Sequence, residues 1–198
     1  MSKISNLQKY LKKNKIDYFL VNRTDEFLNE YIAPYAERLG WLTGFSGSAG
    51  RLIVSTKSLS LFVDGRYTFQ AKEQIDTSQI SIEHLNDFSK KLSGNFIKNE
   101  CIAIDPRLHS IEETLKYVDL SVKSETKLYF TEDNLIDELW DNKPIRNYGL
   151  VFDHPKNFAG IESSKKLEHV IETLDKNNLG AYFLSSLDSI AWLLNLRG

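Results

Sequence analysis

Cysteine is nearly absent. Cys101 is the only one among 198 residues, which excludes an internal disulfide and any zinc cage built from thiolates of this chain alone. Long hydrophobic runs are missing too: no apolar stretch approaches the roughly 20 residues needed to span a bilayer, and Met1 to Lys15 is polar and lysine-rich without an apolar signal core. Excess charge of one sign is also lacking. The 25 Lys plus Arg against 27 Asp plus Glu leave a net charge of −2 and a pI near 6.1, so no broad basic field exists to gather nucleic acid or anionic lipid. The expectations are a cytoplasmic protein with neither nucleic acid nor membrane as partner. The four histidines, His84, His109, His154 and His169, never fall three or four residues apart and form no His-Glu-x-x-His, so the spacing supports no zincin chemistry. What is present is an ordinary core-forming composition, 41% hydrophobic and 26% charged, which argues for a folded domain rather than a disordered tail or a coiled coil.

Along the chain, strand and helix signals alternate. Ile4, Leu7, Tyr10 and Leu11 share one face of an amphipathic helix opposite Lys3, Lys9, Lys12 and Lys13. Ile16 to Val21 is a compact apolar run suited to a buried strand. Gly40 to Gly50, with glycines at 40, 44, 47 and 50, reads as a shaped loop. Arg51–Ser55 and Leu59–Val63 form the economical hairpin, and Asp64-Gly65-Arg66 turns the chain into a helix from Tyr67 to Ile75. Strands are predicted at Ile80–Leu85 and Cys101–Ile104, and short or capped helices at Phe88–Leu92, Ser110–Val118 and Asp133–Trp140. Ser110 and Glu113 have capping-box spacing, and Thr131 is a plausible cap for the last of these helices. Periodicity then lapses, so the reading is a first domain over 1–143, a linker over 144–160, and the truncated start of a second α/β domain over 161–198. That last part comprises a helix over Ser163–Asn177, a strand at Ala181–Leu184 and a helix from Asp188 to Leu194.

Individual motifs carry little chemistry. The glycine loop Thr43-Gly44-Phe45-Ser46-Gly47-Ser48-Ala49-Gly50-Arg51 fails the nucleophile-elbow, phosphate-loop and dinucleotide patterns alike. Cys101 begins an apolar strand, where a thiol behaves as a small hydrophobe. Asp64 can cap the helix amides while Gly65 relieves the turn. Arg66 is a guanidinium projected from a strand end. It reads either as a surface charge paired with an acidic neighbour or as a fork for a carboxylate or carbonyl of a ligand or facing domain.

Taken together, Glu30-Tyr31-Ile32-Ala33-Pro34, Leu42 to Gly50, Asp64-Gly65-Arg66-Tyr67, and Leu187-Asp188-Ser189-Ile190-Ala191-Trp192-Leu193-Leu194-Asn195-Leu196-Arg197-Gly198 resemble the amino-terminal part of a three-domain Xaa-Pro aminopeptidase of the creatinase/prolidase superfamily, metallopeptidase family M24. The resemblance implies an α/β fold, a mixed β-sheet flanked by helices, followed by the start of a similar second domain. It also implies that catalysis resides in a third domain outside these residues. There, two aspartates, a histidine and two glutamates hold two divalent metal ions, manganese in most members, and release the residue preceding proline. This chain would hold no cofactor and no catalytic residue. By the same resemblance Arg66 contacts the substrate, a peptide with proline second, with Tyr67 and the glycine loop supporting it.

The further partner implied is the protein's own carboxy-terminal catalytic domain. The fragment is expected to be a monomer and the complete protein a homodimer. The alternative is a pseudo-peptidase scaffold, similar to the peptidase-like amino-terminal region of the large subunit of the FACT histone chaperone, which binds proteins without cleaving them. A third reading makes the glycine loop a phosphate or nucleotide binder.

Overall fold

The structure is a computed structural model and describes residues 2–198. The chain divides into two units, one ending at Arg146 and one from Asn147 to Gly198. In the first, α1 (Lys3–Lys13) precedes β1 (Tyr18–Asn22), α2 (Arg38–Thr43), β2 (Gly50–Ser55) and β3 (Leu59–Val63). Then follow α3 (Thr68–Gln74), β4 (Ile80–His84), α4 (Phe88–Gly94), β5 (Cys101–Ile104), α5 (Ile111–Ser124) and β6 (Lys127–Phe130). The six strands make one sheet in the order β4-β3-β2-β1-β5-β6. Only β2 runs against its neighbours, so the sheet is mixed.

Helices cover both faces, which is why the central strands read as unbroken apolar runs. Phe19, Val21, Leu52, Val54, Leu61 and Ala103 point to the side packed by Leu7, Leu11, Leu39, Leu42 and Ala71 of α1, α2 and α3. Leu20, Ile53, Phe62, Ile102 and Ile104 point to the other side, against Phe88, Leu92 and Tyr117 of α4 and α5. The two-residue strand period thus sorts neighbouring side chains into two separate cores. The Phe62 ring, fully buried, meets Phe88 edge-on at 5.2 Å and 89°.

Several local expectations hold. Ser110 caps α5 by accepting from the Glu113 amide at 3.1 Å. Ser55 closes the β2–β3 turn by accepting from the amides of Lys57 and Ser58. Others give way to tertiary packing. The glycine-rich stretch is not loop throughout, because α2 runs through Gly40 to bury Leu39 and Leu42. Burial there outweighs a glycine penalty of about 1 kcal/mol. The Asp133–Trp140 helix is replaced by one 3-10 turn at Asp137–Leu139. Asn134 breaks it by donating to Asp105 Oδ2 at 3.0 Å and accepting from the Ile136 amide at 3.1 Å, a side-chain alternative to helical bonding. Thr131 extends β6 through its amide instead of capping, donating to the Ile104 carbonyl.

In the second unit, β7 (Phe152–Asp153) pairs antiparallel with β8 (Leu196–Arg197). Between them lie α6 (Lys156–Ala159), α7 (Ser163–Lys176) and α8 (Leu187–Leu194). Lys166 is buried and donates to the Trp192 carbonyl at 2.8 Å and to Asn195 Oδ1 at 2.6 Å, capping the carboxyl end of α8 with positive charge. Residues 181–184, read as a strand, are irregular, since no ladder partner takes up their amides and carbonyls.

A buried polar cluster pins α5 to the sheet. Arg51 donates from Nε to Asn22 Oδ1 at 2.9 Å and from Nη2 to the Tyr117 hydroxyl and the Glu113 carboxylate. Its guanidinium lies 3.8 Å over the Phe88 ring. Tyr117 in turn donates to Glu113 Oε1, and His109 Nδ1 lies 3.0 Å from Oε2. Burial raises the Glu113 pKa, but the His109 bond, the Arg51 charge and the Tyr117 hydroxyl outweigh it and bring the value down to about 2. The return half of the capping box is therefore not formed; the carboxylate faces the sheet.

Two measurements check this account. Phe62→Ala should cost about 3–5 kcal/mol in chemical denaturation; a loss below about 1 kcal/mol would deny that the second core is closely packed. Glu113 has a folded pKa below its unfolded value, so its stabilisation is complete above about pH 4.5 and is lost as pH falls toward 2, on the order of 3 kcal/mol. Wild type should lose stability between pH 5 and pH 3 more steeply than Glu113→Gln; parallel curves would contradict the assignment.

Candidate functional site

Five strands, β1, β3, β4, β5 and β6, run in one direction, so their carboxyl ends share one edge of the sheet. The antiparallel β2 begins there. In open α/β sheets this edge is where loops converge on ligands. Here it gathers Arg23 after β1, the glycine loop before β2 and Asp64-Gly65-Arg66-Tyr67 after β3.

Asp64 ends its strand in extended backbone, and its Oδ1 accepts from the Arg66 amide at 2.9 Å, starting a 3-10 turn at Gly65–Tyr67. The same oxygen accepts from Arg66 Nε at 2.9 Å. That bond holds the Asp64 carboxyl below the usual carboxylate range and raises the arginine further. The Arg66 side chain is 74% exposed, and among the described residues its Nη1 and Nη2 make no hydrogen bond. Both sequence readings therefore meet in one residue: it pairs with an acidic neighbour, and it keeps the outer edge of its fork open. Gly65 is not forced by the turn, because its φ is not positive and a Cβ would meet His84 Nε2 at an ordinary 3.5 Å.

Beneath Arg66 lies Tyr67, with the guanidinium 5.7 Å from its ring centroid. The Tyr67 hydroxyl is 2.7 Å from Ser48 Oγ, which donates to Glu30 Oε1 at 2.7 Å, so the phenol donates to Ser48. Phe45 packs edge-on against Tyr67 at 5.9 Å. Between the two rings sits Gly47, where a Cβ would lie 2.2 Å from Phe45 Cζ and 2.9 Å from Tyr67 Cδ1. Gly44 turns the end of α2 at φ 84°, a left-handed conformation suited to glycine. The glycines thus let the chain pass closely beneath the aromatic pair.

Glu30 arrives on a loop shaped by the buried Asp25. Its Oδ1 accepts from the amides of Phe27 and Asn29 at 3.0 Å each, and its Oδ2 from the Asn29 side chain. This local network holds Leu28 at φ 59°, an uncommon conformation for a branched residue. Sequence reasoning singled out Arg66, Tyr67 and the glycine loop, and the structure brings them together. It missed Arg23, whose only sequence signal is a charge directly after a buried strand. Cys101 is buried at the start of β5, where burial raises the thiol. Among the described residues no three His, Cys, Asp or Glu side chains are placed to hold a metal, and no helix is long and apolar enough to cross a membrane.

Comparison with known proteins shows the same architecture elsewhere. The family described as Creatinase/Prolidase N-terminal domain matches residues 3–128, and a second family of the same description matches residues 142–198. The probable Xaa-Pro aminopeptidase P of Paracoccidioides lutzii is 33% identical across 99% of this chain but only 33% of its own length. That of Penicillium rubens is 30% identical with the same coverage. The chain thus spans about a third of the length of these relatives. Among solved structures, the X-prolyl aminopeptidase of Caenorhabditis elegans, described as a cytosolic enzyme with a di-nuclear active site, superposes with a TM-score of 0.83 at 27% identity. It covers 98% of this chain and 34% of its own. The N-terminal domain of the peptidase PepQ from Mycobacterium tuberculosis shares the fold at TM-score 0.53 and 18% identity, over 69% of this chain and 97% of its own. With one family match spanning most of the first unit and the mixed sheet recurring in solved relatives, the chain belongs to the creatinase/prolidase N-terminal domain family.

Proposed function

We propose that these residues form the non-catalytic amino-terminal part of an Xaa-Pro aminopeptidase, and that the carboxyl edge of the sheet is one wall of its substrate entrance. Arg66 is the residue that receives the peptide. The observation carrying this reading is the state of its guanidinium: Nε is held by Asp64 while Nη1 and Nη2, on a side chain 74% exposed, make no hydrogen bond among the described residues. A peptide offers carbonyl oxygens along its length and a carboxylate at its end, both suited to a charge-assisted fork. The likeness of nearly the whole chain to probable Xaa-Pro aminopeptidases supports the substrate class. A pure scaffold, the rival reading, has no use for a preset donor pair.

Peptide cleavage is assigned to sequence outside these residues. Residues 161–198 are, on this reading, the opening of a second creatinase-like domain that follows a linker over 144–160, and the complete protein is a cytoplasmic homodimer.

Purified 198-residue chain incubated with manganese and an Xaa-Pro peptide should release no amino acid; metal-dependent release that copurifies with the chain would refute the assignment. In the complete protein, Arg66→Ala should lower kcat/KM by about 10- to 100-fold, the range of one lost charged hydrogen bond. Metal content and melting temperature should stay put, since an exposed ion pair contributes little to stability. Kinetics unchanged across peptides of different length would sink the role of Arg66.

A further inference from the structure

Arg23 is the other arginine at this edge, and its environment is the reverse of that of Arg66. Its side chain is 8% exposed. Nη1 donates to the Glu30 carbonyl at 2.7 Å and to the Ser48 carbonyl at 3.2 Å, while Nη2 donates to Glu37 Oε1 at 2.6 Å. Its own amide donates to the Gly50 carbonyl at 3.0 Å, fixing the start of the side chain to the end of the glycine loop. One guanidinium therefore fastens the acidic and aromatic segment between β1 and α2 to the loop that precedes β2.

Charge balance does not account for this arrangement. Glu37 alone would neutralise the arginine, and the two carbonyl bonds add nothing to net charge. Nε is buried without a partner, a state that carries a desolvation penalty. The guanidinium is thus oriented by three acceptors on Nη1 and Nη2 at the expense of its third nitrogen, Nε. Two of those acceptors are backbone carbonyls of Glu30 and Ser48, whose side chains support the Tyr67 hydroxyl. The path runs from Arg23 to Glu30 and Ser48, from these to Tyr67, and from its ring to the Arg66 guanidinium.

We propose that Arg23 is a positioning residue for the peptide-binding arginine, holding Glu30 and Ser48 in the register that sets Tyr67 beneath Arg66. The inference rests on the reading of Arg66 given above. Lysine cannot replace it, because a single ammonium nitrogen on a flexible stem lacks the two rigidly spaced nitrogens that meet these acceptors.

The test uses the complete protein with Xaa-Pro peptides and compares Arg23→Ala, Arg23→Lys, Arg66→Ala and the double variant R23A/R66A. Small displacements of a positioning group suffice for losses of about 10- to 100-fold. Arg23→Ala should fall in that range, through KM more than kcat, and Arg23→Lys should recover little. The double variant should be no worse than Arg66→Ala by more than about twofold, the non-additivity of residues acting through one group. A purely structural role would lower the melting temperature of Arg23→Ala and leave the two losses multiplicative; that result, or an Arg23→Ala variant with wild-type kinetics, overturns the proposal. Should Arg23→Ala not fold, Arg23→Gln combined with Glu37→Gln removes the charge pair together and must show the same coupling. Unchanged kinetics in Arg66→Ala would instead remove the underlying reading, and this inference with it.

Discussion

One oxygen, Oδ1 of Asp64, accepts from both the Arg66 amide and Arg66 Nε. The first bond starts the turn after β3, and the second orients the guanidinium. A single carboxylate thus serves both the turn and the arginine, and the neighbouring arginine keeps Asp64 ionised below the usual carboxylate range. The order aspartate, glycine, arginine, tyrosine is therefore a local geometric device: cap, turn, donor and the ring against which the donor rests.

Four of the six arginines of the first unit show how far partners decide role. Arg38 lies buried in a two-pronged pair with Asp137, both bonds at 2.8 Å, and joins α2 to the turn at Asp137–Leu139. Arg51 is shared among Asn22, Glu113 and Tyr117 beneath α5. Arg23 spans two loops. In each of these, acceptors of the protein itself take up most of the fork, leaving at most one nitrogen unbonded. Arg66 alone of the four is met by one carboxylate oxygen, with no hydrogen bond at the other two nitrogens among the described residues. Guanidinium chemistry is the same in all four; only the supply of acceptors separates a structural staple from a group available to a ligand.

The sheet was legible where burial imposes a pattern. The runs at 18–22, 59–63 and 101–104 are apolar because both faces are covered, and the amphipathic α1 sets Leu7 and Leu11 on its inner side. Edge strand β6 escaped notice since Lys127, Tyr129 and Phe130 are exposed and no alternation results. The helix expected near Asp133 failed on one side chain, Asn134, whose partner Asp105 lies 29 residues earlier; no local window contains that information. In the site, Asp64, Arg66 and Tyr67 were readable from adjacent residues. Glu30 and Ser48, 18 apart, and Arg23 beside them, meet only because β1 and β2 are neighbours in the sheet. A charge directly after a buried strand says that it sits at an edge, not what it grips.

Strand direction explains why these loops meet at all. The parallel strands deliver their following loops to one edge, and a purely parallel sheet would bring only such loops there. The antiparallel β2 adds a segment of another kind, the glycine loop that enters it, between the loops after β1 and β3. Gly47 lets that segment pass between Phe45 and Tyr67 where any Cβ would collide, and Ser48 then reaches both Glu30 and Tyr67. A methyl group at Gly47 would force Phe45, a residue of the core, away from Tyr67 and disturb the support of the phenol. The mixed order of the sheet thus serves the edge as well as the core, bringing the glycine loop to the exposed guanidinium of Arg66.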